Sequence, residues 1–277
     1  MDGLNQFLTT AFEAIFSPFY AWPLLTLLLL SVASGILMAA VFKYVSNQKA
    51  LAEVLDRGRG NALAIKLFKD DLQGMFVSLS NVLLLMLKRI WYSLSPVLVL
   101  MIPLFFLLSQ MYLRYENRPL NVEEPVVFEL KLNETGWESA KNSVSINLND
   151  TVNIETPALR DELEQSIAWR LSVVEPGVHT VSVKINEQEI DKEIIATASD
   201  DWLYKVSEFR SGSNVLEQLW FAGERVIQPN AIVDGISIHY PKRETPVFGF
   251  SVPWWLTYFV VSIVAALISQ PFLKVRF

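Results

Sequence analysis

Length, composition and charge place this chain among membrane proteins. Of its 277 residues, 52% are hydrophobic and 19% are charged, and so large an apolar share cannot be buried in one soluble core. The absence of cysteine excludes disulfides, thiolate metal sites and a cysteine nucleophile. The net charge of -6 is the sum of a basic part and an acidic part, so it argues against nucleic-acid binding only for the acidic part.

Three uncharged runs are long enough to cross a bilayer. They contain 24, 24 and 29 residues and comprise Phe19–Phe42, Ile90–Leu113 and Thr245–Leu273. At about 1.5 Å of rise per residue, each run exceeds the roughly 30 Å hydrocarbon core. We therefore predict transmembrane helices at 19–42, 90–113 and 247–270. Residues 1–18 contain no Lys or Arg, unlike a signal peptide, and are expected to remain as an extracytoplasmic N-terminal segment.

The distribution of Lys and Arg predicts the orientation, because these residues resist translocation and collect in the cytoplasm. Residues 43–89 contain eight cations and four acids, whereas residues 114–244 contain 13 cations and 23 acids. We therefore expect the N-terminus and residues 114–246 outside, and residues 43–75 and the tail 271–277 in the cytoplasm. The expected location is the bacterial inner membrane.

The basic segment 43–75 is predicted to form a cytoplasmic helical hairpin. Apolar stripes at helical spacing lie on either side of Gly58 and Gly60, so two amphipathic helices would pack together and leave their cations in water. The alternative is a solvated loop that only follows the positive-inside rule. Residues 76–89 extend the apolar character ahead of the second span and predict an interfacial helix.

Several polar residues lie within or beside the apolar runs. Pro96 and Pro103 each remove a backbone donor from the second span, and the freed carbonyl groups need polar neighbours or water. Polar side chains nearby predict the walls of a partly wet cleft between spans. The alternative, for the serines and Gly35 of the first span, is close helix packing through small residues. The candidates for the cleft are Ser31, Ser34, Lys43, Asn81, Ser109 and Gln110.

Residues 114–246 show the alternation of half-buried β-strands. In VVFELKL (126–132) alternate side chains share an apolar face, and the pattern returns at 144–148 and 167–173. About seven short strands at turn-punctuated spacing predict an immunoglobulin-like β-sandwich. A short helix is expected within it at 213–221.

The sequence contains no constellation that predicts catalysis. A phosphate-binding glycine loop and a nucleophile elbow are both absent, and His179 and His239 lie on separate predicted strands. We therefore expect neither an enzyme nor a cofactor nor a metal site. The predicted fold class is a membrane protein of α + β type: three transmembrane helices, a cytoplasmic helical hairpin and an extracytoplasmic immunoglobulin-like β-sandwich.

Two stretches resemble the YidC-type membrane-protein insertase superfamily, including its archaeal and endoplasmic-reticulum branches. They are the hairpin FKYVSNQKALAEVLDRGRGNALAIKLFKDD (42–71) and the proline-containing span SPVLVLMIPLFFLLSQ (95–110). The resemblance covers residues 19–113 and, by topology, the third span. It implies a three-span core around a hydrophilic groove, no cofactor, and a hairpin that receives hydrophobic segments. The first span lacks the arginine of bacterial members, and the β domain between the second and third spans is an addition to the pattern.

The resemblance also implies partners. Four hairpin cations would contact anionic lipid headgroups, a ribosome or a partner protein: Arg57, Arg59, Lys66 and Lys69. The expected partners are membrane lipids, nascent membrane proteins or another membrane subunit, and a ribosome, with no other nucleic acid. The alternative function is a non-catalytic, membrane-anchored scaffold or binding subunit that presents the β-sandwich to partners and needs no groove.

Overall fold

The computed structural model describes residues 2–46, 53–54, 56–58, 60–61, 63, 72–186, 188–198, 202–212, 214–227, 232–247 and 249–273. Over these ranges the chain has an α + β fold, with three helices apolar and long enough to cross a membrane. The predicted class is confirmed at that level. About half of the predicted hairpin 43–75 lies outside the described residues, and those described between 53 and 63 are helical.

Within the described ranges, six α-helices have defined ends. They are α1 Asp2–Phe16, α2 Pro23–Val45, α3 Leu72–Tyr115, α4 Glu134–Ala140, α5 Val215–Trp220 and α6 Trp254–Leu273, and a short 3-10 turn, Ser17–Phe19, follows α1. The helices of spanning length are α2, the part of α3 from Leu79 to Tyr115, and α6.

Helix α3 differs from the predicted division into an interfacial helix at 76–89 and a span at 90–113. It is one helix of 44 residues that runs through both, with Pro96 and Pro103 inside it. Lys88 and Arg89, at the predicted boundary, have high helix propensity, so a pair of charges there does not end the helix. Helix α1 lies in residues 1–18, which were predicted as an extracytoplasmic segment without a helix.

The chain divides into two compact units. Residues 1–26 and 106–254 form one, called here the β unit, and residues 27–105 and 255–277 form the other, called the helical unit. The division falls within α2, within α3 and after Trp254 at the start of α6, so each of these helices contributes residues to both units.

The β unit contains two sheets around one buried core, as the predicted β-sandwich requires. One sheet has the strand order β1-β7-β6-β3 and the other β4-β5-β2-β9-β8. All neighbouring pairs are antiparallel except β1 with β7. The strands are β1 Leu120–Asn121, β2 Val126–Leu132, β3 Val144–Asn147, β4 Val152–Asp161, β5 Ser166–Val173, β6 Gly177–Ile185, β7 Gln188–Thr197, β8 Phe209–Ser211 and β9 Val233–Ile238, and a small hairpin pairs β10 Pro246–Val247 with β11 Phe250–Ser251.

Apolar alternation explains the core of the sandwich. The apolar face of β2 is fully buried and its Phe128 meets Trp169 of β5 edge-on, with ring centroids 6.0 Å apart. Val181 and Val183 of β6 join the same cluster from the other sheet. The β6–β7 turn passes through Asn186 at a φ of 53°, a conformation that asparagine tolerates in tight hairpins.

Candidate functional site

Ser31 and Ser34, two candidates for the cleft, are buried in α2. The Ser31 hydroxyl donates to the Leu27 carbonyl oxygen at 2.7 Å, and the Ser34 hydroxyl donates to the Ser31 carbonyl oxygen at 3.0 Å. Bonds from serine to a carbonyl in the preceding turn satisfy the hydroxyl inside the helix. Neither hydroxyl therefore needs water to satisfy it, and their role as cleft walls stays a prediction.

Helix α2 packs closely on α6 next to these serines. A Cβ added at Gly35 would overlap the carbonyl oxygen of Ser262, so the two backbones approach as closely as glycine allows. The buried Tyr258 of α6 lies next to Ser34. Small residues at a close crossing are typical of helix association in membranes. This geometry favours the helix-packing alternative for Ser34 and Gly35.

Helix α3 shows the opposite behaviour, because the chain covers very little of its apolar surface. Only 6% of its most apolar stretch is buried. Exposed apolar side chains follow one another along the helix: Val77, Leu79, Leu83, Leu84, Met86, Leu87, Ile90, Trp91, Leu94, Val97 and Leu98. The candidate Asn81 lies exposed among them, as do Lys88 and Arg89. The result is a long apolar surface with a few polar positions.

Lys43 lies near the end of the first spanning helix. It lies in the last turn of α2, where a cation is favoured by the helix dipole, and its ammonium is 5.9 Å from the centre of the Tyr44 ring. Lys43 is partly exposed. This placement suits a cation at the edge of a membrane.

Ser109 and Gln110 belong to the β unit, whereas Ser31 and Ser34 belong to the helical unit. The Ser109 hydroxyl donates to the Trp220 carbonyl oxygen at 2.7 Å, so it joins α3 to the end of α5. The Gln110 amide donates to the Thr9 hydroxyl at 3.2 Å. Both side chains are buried and hydrogen-bonded within the sandwich-bearing part of the chain.

A buried arginine, Arg114, organises this end of α3. Its guanidinium donates to the Tyr20 hydroxyl at 2.9 Å and to the Gln110 side-chain oxygen at 3.1 Å. The Glu13 carboxylate lies 3.5 Å from its Nη2 atom, and the Phe12 ring lies under the guanidinium at 4.6 Å. The side chain is fully buried. Arg114 therefore fastens α1 and the following turn to the end of α3.

Sequence reasoning missed the role of Arg114. In the sequence it was counted only among the 13 cations of residues 114–244. The available signal was its position one residue after 24 uncharged residues, since a charge directly against an apolar run needs a partner if it is buried. The partner, Glu13, is 101 positions away along the chain, and no local pattern connects the two.

The hairpin cations are mostly outside the described residues. Arg59, Lys66 and Lys69 fall there. Arg57 is exposed and lies 3.6 Å from Glu53, one helical turn earlier. Such exposed pairs contribute little to stability, so Arg57 remains accessible to an anionic partner.

The β unit contains a second buried charge pair. Lys192 of β7 donates to the Ser207 carbonyl oxygen at 2.7 Å and pairs with Glu224. Burial lowers the pKa of Lys192, while the charge of Glu224 and the hydrogen bond to it act in the opposite direction. The pair lies beside a polar cleft between α1 and the sandwich, lined by Gln6, Thr9, Thr10, Glu13, Thr180, Asp191, Glu193, Lys205, Arg210, Ala222, Gly223, Glu224 and Arg225.

The two histidines are separated in the structure. His179 of β6 shares a hydrogen bond of 2.8 Å with Thr151, and His239 lies 3.3 Å from Glu129. Among the residues that the structure describes, no group of three His, Asp or Glu side chains is placed to hold a metal ion. The other expected absences, of an enzyme activity and of a cofactor, stay predictions.

Comparison with known proteins adds no further constraint. No protein-family model, no curated protein and no solved structure matches this chain.

Proposed function

We propose that this chain is a membrane-protein insertase or insertion chaperone of the YidC type, with its client surface on α3. In this proposal the N-terminus and an immunoglobulin-like β-sandwich lie outside a bacterial inner membrane, and the basic hairpin and the C-terminus lie in the cytoplasm. No cofactor is required. The partners are membrane lipids, nascent membrane proteins and, at the hairpin, a ribosome.

The observation that carries the proposal is the excess of exposed apolar helix on α3. The candidate span from Leu79 to Tyr115 has 37 residues, which corresponds to about 56 Å of helix, nearly twice the roughly 30 Å of bilayer hydrocarbon. The chain itself buries 6% of the most apolar stretch. Exposed apolar surface of this extent marks a lipid or protein contact.

Such a surface supports insertion without chemical energy. A hydrophobic segment arriving from the cytoplasm would pack against Leu84, Leu87 and Trp91 before it meets the bilayer core. The polar positions Asn81 and Lys88 in the same stretch would hydrate or pair the polar flank of that segment. A charge at the bilayer centre costs about 2.5 to 3.5 kcal/mol on insertion scales, so partial hydration of a client's flank lowers the barrier to its passage.

The proposal is tested by site-specific photocrosslinking in growing cells. A probe at Leu87, which is 63% exposed on α3, is compared with a probe at Leu267, which is 55% exposed on α6. We expect pulse-labelled membrane proteins to crosslink at Leu87 and to disappear from it during a chase, with lipid alone at Leu267. Capture of lipid alone at both positions would contradict the proposal.

A second candidate function is a membrane-anchored scaffold or binding subunit. It is favoured by one observation: the Ser31, Ser34, Ser109 and Gln110 side chains are buried and hydrogen-bonded within the chain, so none of them faces an open cleft. In the same crosslinking experiment a scaffold would give a single partner at Leu87 that persists through the chase.

A further inference from the structure

Among the residues that the structure describes, one side of helix α1 is covered and an apolar side is left exposed. The covered side carries Phe12, which is buried against Arg114, and Thr9, which accepts from Gln110. The other side carries Phe7 and Ile15, exposed by 68% and 60%, with Ala11 and Ala14 between them. Positions 7, 11, 14 and 15 follow the i, i+4, i+7, i+8 spacing of a single helix face.

The exposed side of α1 is free of charge. Between Asp2 and Phe16 the charged residues are Asp2 and Glu13, and Glu13 lies on the covered side, 3.5 Å from Arg114. An apolar face without cations is attracted to a membrane by hydrophobic transfer and not by anionic headgroups.

The contacts of α1 fix its position along the axis of the candidate span α3. Thr9 and Glu13 contact Gln110 and Arg114, which lie in the last two turns of the α3 span within the β unit. Six residues, 17–22, separate α1 from the start of α2 at Pro23. A helix held at the end of one span and joined by so short a connection to another lies at the depth where the spans leave the hydrocarbon. Trp22, 59% exposed in that connection, is the residue type that concentrates at membrane interfaces.

We propose that α1 is an interfacial helix whose Phe7–Ala11–Ala14–Ile15 face is immersed in the lipid leaflet on the side of the β-sandwich. Its occupant is the lipid surface itself. Because Glu13 and Phe12 contact Arg114, lipid contact at α1 holds Arg114 and the end of α3 at the membrane surface. The inference rests on the apolar helices spanning a bilayer and is independent of the insertase proposal.

Spin labelling of the full chain in vesicles tests this inference. Because the chain has no cysteine, each single Cys substitution gives one labelled position, and no native cysteine has to be removed first. Labels are placed at Phe7→Cys, Ala14→Cys and Ile15→Cys, with Leu163→Cys, 94% exposed between β4 and β5, as the water-facing control. The vesicles contain only neutral phosphatidylcholine, and labelled chains are diluted with unlabelled chain.

Collision rates with oxygen and with a water-soluble nickel chelate report the surroundings of each label. We expect oxygen collisions to exceed nickel collisions at all three α1 positions, and the reverse at Leu163→Cys. Nickel collisions as frequent on α1 as at the control would overturn the inference, because the face would then lie in water. Low rates for both reagents would also overturn it, since a second protein copy would then cover the face. If a variant loses the tryptophan fluorescence of the folded chain, the label is moved to a neighbouring residue on the same face of α1.

Discussion

At the scale of single residues, Arg114 is a buried cation at the junction between α3 and α1. It is buried, it donates to Tyr20 and Gln110, and its Nη2 atom has Glu13 at 3.5 Å as its nearest charged group. A buried cation is retained only when its surroundings compensate for lost hydration. The Tyr20 hydroxyl, the Gln110 amide oxygen and the Glu13 carboxylate together supply that compensation.

Replacing Arg114 by methionine removes the charge while keeping much of the volume. We expect Arg114→Met to lower the free energy of unfolding by about 1.5 to 3 kcal/mol, the usual range for a lost hydrogen bond to a charged group. Glu13→Gln is the control, because the half-exposed Glu13 should contribute less than about 1 kcal/mol. Thermal unfolding in detergent, followed by tryptophan fluorescence, measures both. An equal effect of the two substitutions would contradict this account of Arg114.

The pair formed by Lys192 and Glu224 should be sensitive to the loss of either partner. Glu224→Gln leaves a buried ammonium without its counter-charge and is expected to cost about 3 to 5 kcal/mol of stability. Glu193→Gln, at the exposed neighbouring position, should change stability by less than about 0.5 kcal/mol. The double variant Lys192→Met/Glu224→Gln should recover part of the loss, because it removes both charges. Additive losses in urea unfolding would show that the charges are not coupled.

The lowered pKa of Lys192 predicts how the stability of the chain depends on pH. Its folded pKa is lowered from an ordinary 10.5, so above the folded pKa the unfolded chain binds more protons than the folded chain. The stability that Lys192 contributes therefore rises as the pH increases through the folded pKa toward 10.5. Against Lys192→Met, the wild-type chain should gain relative stability as the buffer is made alkaline. A constant difference over that window would contradict the lowered pKa.

At the scale of elements, apolar periodicity was informative wherever an element buries one regular face. The uncharged runs predicted α2, α3 and α6, and alternation predicted β2, β3 and β5. Strand β4 was missed because it is an edge strand with irregular pairing, and Pro157 within it argues against a strand in sequence. The immunoglobulin-like class stays a prediction.

Helix α4 was missed for a different reason. The residues at its start, Asn133-Glu-Thr, match a glycosylation sequon. The Asn133 side chain, which precedes the helix, accepts from the Gly136 amide at 2.7 Å and caps the helix. The same three residues fit a glycosylation site and a helix N-cap, and the folded structure shows the cap. Pairs such as Arg114 with Glu13 were unpredictable because they depend on contacts between distant segments.

The α2–α6 contact leads to a prediction with a matched control. Gly35→Ala places a methyl group against the Ser262 carbonyl oxygen, whereas Gly58→Ala meets no atom within 4 Å. Overpacking of this kind costs about 1 to 3 kcal/mol. Gly35→Ala should therefore lower the temperature at which the detergent-solubilised chain aggregates, and Gly58→Ala should leave it unchanged or slightly raised. Equal behaviour of the two alanine variants would show that the close approach is not structurally important.

At the scale of the whole molecule, three helices contribute residues to both units: α2, α3 and, by its first residue, α6. Residues 72–105 of α3 belong to the helical unit and expose apolar surface, while residues 106–115 belong to the β unit and include the buried Arg114. Helix α3 thus carries the proposed client surface in its first part and the buried Arg114 in its last turn. The predicted orientation, with the sandwich outside, stays a prediction.

The central claim is that this chain helps hydrophobic segments to enter a bilayer, and reconstitution tests it most directly. A newly synthesised single-span protein with a short acidic tail is offered to vesicles that contain the purified chain, and the protease-protected fraction is measured. The account predicts several-fold more protection than in empty vesicles. Leu84→Gln/Leu87→Gln on α3 should abolish the gain, and Val264→Gln/Leu267→Gln on α6 should retain it. Equal protection with and without the chain would contradict the account.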